Sequence, residues 1–125
     1  MYATLLRVSL SFYRAALMAD STNYEVHHLI SYALNSSGDR KGAIAVCEKF
    51  LELVGDTPNV ALAWLGSLYC QDGQKEKALE AFKKQILLNP ANEEFYVDTK
   101  LYIGNCFTPE EIEEVLSLSE VHKGK

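Results

Sequence analysis

Basic residues are the first thing this chain is short of. Twelve Lys and Arg face seventeen Asp and Glu, for a formal net charge of −5 and a pI near 5.1. That balance repels phosphate backbones and anionic lipid surfaces, so neither nucleic acid nor a membrane is an expected partner. Cysteine is scarce as well. Cys47, Cys70 and Cys106 are odd in number, lie far apart and form no C-x-x-C. This excludes a zinc ribbon, argues against a disulfide framework and points to a reducing, cytoplasmic compartment. No apolar run reaches the roughly 20 residues that cross a bilayer, because Arg7 and Arg14 interrupt the N-terminal one. There is no G-x-S-x-G, Walker loop or G-x-G-x-x-G, so no catalytic residue and no cofactor is expected. His27 and His28 are adjacent and project about 100° apart on a helix, so they cannot chelate one ion together and no metal site is expected.

What is present is periodic. With 125 residues, 48% of them hydrophobic, the chain can make one domain or a short array of repeats. Gly38 followed by Ala43 recurs, 35 residues on, as Gly73 followed by Ala78. The flanks agree, "LISYALNSSGDRKGAIAVCEKFLEL" against "WLGSLYCQDGQKEKALEAFKKQILL". In the second copy Leu62, Leu65, Leu68 and Tyr69 fall at spacings of three and four, as do Ala78, Leu79, Phe82, Ile86 and the neighbouring Ala81. Gln71, Asp72 and Gly73 break the two helices apart, and Asn89 before Pro90 ends the second. Each copy is therefore a helical hairpin, with Gly66 and Ala78 small where helices must approach and Tyr69 and Phe82 filling the space beside them. Such a hairpin buries one face and needs neighbours of its own kind.

Leu65, Gly66, Tyr69, Ala78, Phe82 and Pro90 resemble the tetratricopeptide repeat pattern. The copy departs from it with Trp64 directly before Leu65 and with Gln85 where a small Ala is usual. The earlier copy keeps Gly38 and Ala43 but has Ser31, Leu34, Cys47 and Gly55 at the Gly, Tyr, aromatic and Pro places. The expected fold is an all-α, right-handed α-solenoid of helical hairpins with about seven helices. Its divisions are 1–21 (the orphan second helix of a preceding repeat), 22–57 (a degenerate repeat), 58–91 (the clear repeat) and 92–122 (a divergent hairpin with a capping helix). In this last part Asn92 caps a helix through Phe95, Leu101 and Ile103 that stops at Gly104. Thr108, Pro109 and Glu111 form a capping box that opens the final helix, with Ile112, Val115 and Leu116 inward. The "HKGK" tail is expected to fray.

The resemblance implies a noncatalytic protein-interaction module, a scaffold whose first helices line a concave groove for a peptide or helix. Carried over by position, the groove residues are Glu25, His28, Tyr32, Asn35 and Ser36, then Ala63, Ser67, Cys70 and Gln71. The family's carboxylate clamp is absent, since His28 and Tyr32 hold the places of its Lys and Asn. Cys70 is expected to be a small packing residue and Cys47 inert core. The first nineteen residues carry two Arg and no acid, a composition like that of a transit peptide, but their phase favours a helix of the array. Leu6, Leu10, Tyr13 and Leu17 belong to an apolar arc wider than the roughly 100° that one core needs. This arc is a second expected surface, for a partner or for a homodimer or other homo-oligomer. The remaining alternative is a docking or regulatory segment of a larger enzyme.

Overall fold

The structure, a computed structural model, describes residues 23–55 and 60–124, together with the helical residues 11, 12, 14, 15, 18 and 19. Besides those six helical residues, the described residues hold six α-helices, two short 3-10 turns and no strand. The helices are α1 (Tyr24–Ser36), α2 (Arg40–Val54), α3 (Ala61–Gln71), α4 (Lys75–Leu88), α5 (Glu93–Tyr102) and α6 (Pro109–Leu116), with turns at Ile103–Asn105 and His122–Gly124. The fold is the helical-repeat class that the periodicity implies. It divides into two compact units, Met1–Gly55 and Asp56–Lys125.

In the N-terminal unit α1 and α2 form a hairpin. Asn23 caps α1 by accepting from the Val26 N–H at 3.2 Å, and Asp39 caps α2 by accepting from the Gly42 N–H at 2.9 Å. Gly38 between them has φ 95°, a conformation that costs a residue with a Cβ and costs glycine nothing. The core is Ile30, Ala33, Leu34, Ala43, Ile44, Cys47 and Phe50, with the His27 ring 4.7 Å from that of Phe50. Where α1 meets α2, buried Ser31 donates to the Ala43 carbonyl at 3.0 Å, and its Oγ lies 3.2 Å from Cys47 Sγ. Burial pushes the Cys47 thiol up to about 11, outweighing the Ser31 hydrogen bond, so it is inert core as expected.

In the C-terminal unit α3 and α4 make the second hairpin, again through a glycine of positive φ, Gly73 at 77°. Gly66 is the point of close approach. A Cβ there would lie 2.8 Å from the Phe82 ring, so the phenyl group itself occupies the space that a side chain would need. Ala78, Phe82 and Ile86 are buried beside it. Gln85, in the place of the family's small Ala, is fully buried, and Trp64 packs edge-on against Tyr102 at 5.8 Å.

Asn92 caps α5, accepting from the Phe95 N–H at 2.9 Å. The helix buries Phe95, Tyr96 and Thr99, and Ile103 follows in the 3-10 turn. Leu101, also on this helix, is 68% exposed. Thr108 and Glu111 form the full capping box at the start of α6, with Pro109 in the first turn. Lys75 pairs with Glu111 at 2.8 Å and Lys83 with Glu114 at 3.1 Å, tying α6 to α4. The segment just before the tail is anchored. The Glu120 N–H and the Ser119 hydroxyl both donate to the Pro90 carbonyl, at 2.9 and 3.1 Å.

Candidate functional site

The α1 half of the expected groove lies on one helix face, since positions 25, 28, 32, 35 and 36 recur at threes and fours. Glu25, Tyr32 and Ser36 are exposed, and His28 and Asn35 are half-buried. Tyr32 is 56% exposed, large for an aromatic side chain. The rings run as a ladder along the helix: Tyr24 stacks on His28 at 5.7 Å, and His28 lies 6.5 Å from Tyr32. Burial holds the His28 imidazole below its usual value, so at neutral pH it is an uncharged ring. At the far end Asn35 accepts from Arg40 Nε at 3.4 Å. The face is aromatic and weakly polar, with the single carboxylate of Glu25.

The α3 set is placed differently. Ala63 and Ser67 are buried, and only Gln71 is exposed, its Nε2 donating to Ser67 Oγ at 3.3 Å. Cys70 is a correction. It is disulfide-bonded to Cys106, with Cα atoms 5.8 Å apart, where a packing thiol and no disulfide were expected. The physical reason is non-local: α5 and the 3-10 turn after it fold back onto α3 and deliver Cys106 to the last turn of that helix. The expectation of a reducing compartment rested on unpaired cysteines, and this bond removes that footing.

Leu6, Leu10, Tyr13 and Leu17 lie outside the described residues. In the same segment Phe12 is 72% exposed and Met18 is 90% exposed. Among the described residues no helix is long and apolar enough to cross a membrane, and no three His, Cys, Asp or Glu side chains are grouped to hold a metal ion.

Two features escaped sequence reasoning. His122 accepts or donates at both ring nitrogens, to Tyr96 Oη and to Glu113 Oε1, each at 2.9 Å, and so links α5 to α6. On α5, Glu94, Val97, Asp98 and Leu101 form an outward face, and their spacing of threes and fours is the signal that could have found it.

The structure is similar to the crystal structure of MamA, with a TM-score of 0.67 at 19% identity, covering 99% of this chain and 72% of that one. At that identity the likeness speaks to the fold. No curated protein matches the sequence. The tetratricopeptide repeat family profile matches residues 24–53 and 60–92, half of the chain, and these segments are the two hairpins just described. By that match the chain belongs to the tetratricopeptide repeat family.

Proposed function

We propose that this chain is a noncatalytic interaction module that receives an extended or helical segment of a partner protein along the exposed face of α1. Tetratricopeptide repeats in general mediate protein–protein interaction. The observation that supports the finer reading is the Tyr24–His28–Tyr32 ladder, ending in an exposed tyrosine. Tyrosine offers large area with few rotors, and a neutral imidazole stacks without a desolvation cost for charge. Asn35 and Ser36 supply amide and hydroxyl groups for a partner backbone, while Gln71 is the exposed member of the α3 set in the C-terminal unit.

Capture from native lysate with the full chain, compared with a Tyr32→Ala, Gln71→Ala double variant, tests this. Truncating one well-packed aromatic anchor costs 1 to 2 kcal/mol or more as an order of magnitude, so binding should weaken by about tenfold or more. Retention of the same proteins by the double variant would remove the α1 face from the account.

A second reading is favoured by the exposure of Phe12 and Met18. In it, the N-terminal segment with Leu6, Leu10, Tyr13 and Leu17 is a homodimer surface. Sedimentation of the same protein decides it, since a single monomeric mass at high micromolar concentration is incompatible with that surface.

A further inference from the structure

We propose that the Cys70–Cys106 disulfide is an exchange site for a dithiol reductant, attacked at Cys106, and that its reduction releases the link 104–107 from the end of α3 while the helices stay folded. The site is separate from the α1 face and does not depend on it.

The two sulfurs belong to unlike places. Cys70 is buried in the last turn of α3, whereas Cys106 is only half-buried, in the connection between the 3-10 turn and α6. Access decides which sulfur an incoming thiolate attacks, and here it favours Cys106. The thiolate bonds to Cys106 Sγ, the Cys70–Cys106 bond breaks, and its electron pair leaves on Cys70 Sγ. The carbonyl end of α3 disfavours a negative charge there, so Cys70 takes a proton from water. The second thiol of the reductant gives its proton to water, closes onto the first sulfur and displaces Cys106, which is protonated in turn. Two electrons pass from the dithiol to the disulfide, and the products are two cysteine thiols and one oxidised dithiol.

What flanks the bond makes its loss local. On one side α5 is anchored by buried Phe95, Tyr96 and Thr99, with Ile103 buried just behind them. On the other side α6 buries Val115 and Leu116 and is tied to α4 by the Lys75–Glu111 and Lys83–Glu114 pairs, and Ser119 and Glu120 beyond it donate to the Pro90 carbonyl. Neither anchor passes through Cys106. Between them Gly104 is exposed, and a Cβ there would meet nothing within 4 Å, so the link stands clear of the body where it begins. Among the described contacts two ties hold the rest of it down. One is the disulfide, and the other is the Phe107 ring, edge-on to Phe82 at 5.8 Å with Lys75 Nζ 5.8 Å from its centroid. Without the bond, one half-buried aromatic contact is left to hold the link, and segments with so few contacts are the ones that open locally. A disulfide that staples a whole domain unfolds it when cut, whereas one between two independent anchors changes only what one surface shows. Here the opening shows the Cys70 thiol and the edge of Phe82.

Hydrogen–deuterium exchange of the full chain, oxidised and after reduction by dithiothreitol without denaturant, tests the opening. Amides at 104–107 should exchange about tenfold faster or more in the reduced protein, while those of α3, α4 and α5 and the circular dichroism spectrum hold. Cys106→Ser should exchange like the reduced parent, and the reduced parent reads the same state without a substitution. A brief exposure to mercaptoethanol, quenched with iodoacetamide in urea, tests which sulfur is attacked. Peptide mass spectrometry should find the mercaptoethanol on Cys106 and the alkyl group on Cys70. The reverse placement, reduction only in denaturant, or equal exchange at 104–107 in the two states would overturn the proposal. So would loss of the helical spectrum on reduction, because the bond would then be a staple of the whole unit.

Discussion

The two hairpins solve the same helix crossing with different atoms. In α3–α4 a glycine, Gly66, gives up its side chain entirely and the Phe82 ring takes the space. In α1–α2 the equivalent pair is Ser31 and Cys47, a larger residue facing a smaller one. The volume lost from the ring is partly returned by the hydroxymethyl group. That group adds a hydrogen bond to the Ala43 carbonyl that glycine could not make. The same crossing is therefore filled by different residue pairs rather than by one motif. The degenerate repeat trades apolar contact for a buried polar one.

That trade can be broken at its largest member first. Phe82→Ala should cost about 3 to 5 kcal/mol, the usual range for emptying a buried aromatic site, while Cys47→Ala should cost nearer 1 kcal/mol. Urea unfolding measures both, and equal losses would mean that the two crossings are not equivalent. Next comes the small partner. Gly66→Ala should cost about 1 to 3 kcal/mol by overpacking, and Phe82→Leu in the same chain should recover part of it. Ser31→Ala should cost about 1 kcal/mol through the hydrogen bond alone. A Gly66→Ala protein as stable as the parent would show that the ring moves aside freely.

The smallest effect lies at α6, which only the C-terminal unit carries. Lys75 first, and then the Thr108 N–H, hold the half-buried Glu111 carboxyl below its ordinary 4.5. A lowered folded value stabilises the protein above the ordinary value and is lost as pH falls through the folded one. Acid titration of the urea midpoint should therefore show a small extra fall below about pH 4.5 that a Glu111→Gln variant lacks. Parallel curves for the two proteins would show that the capping box contributes nothing measurable.

The local parts of this architecture were legible. Gly38, Gly73, Asn92 and the Thr108–Glu111 box act through neighbours within four residues, so their meaning is written beside them. The α1 face could be read because a helical period alone brings Glu25, His28 and Tyr32 to one side. The α3 face could not. Ala63, Ser67 and Cys70 share that period but are buried, and Cys70 is bonded to Cys106 of a distant segment whose path no spacing in the sequence records.

The Cys70–Cys106 bond makes a covalent ring of the chain between those positions, and the whole α4 helix and α5 lie inside it. A protease that cuts once in the exposed turn at Gly73 would leave two pieces still tethered, running at full size until a thiol is added. Damage within this ring is therefore survivable in a way that a cut in the N-terminal hairpin is not.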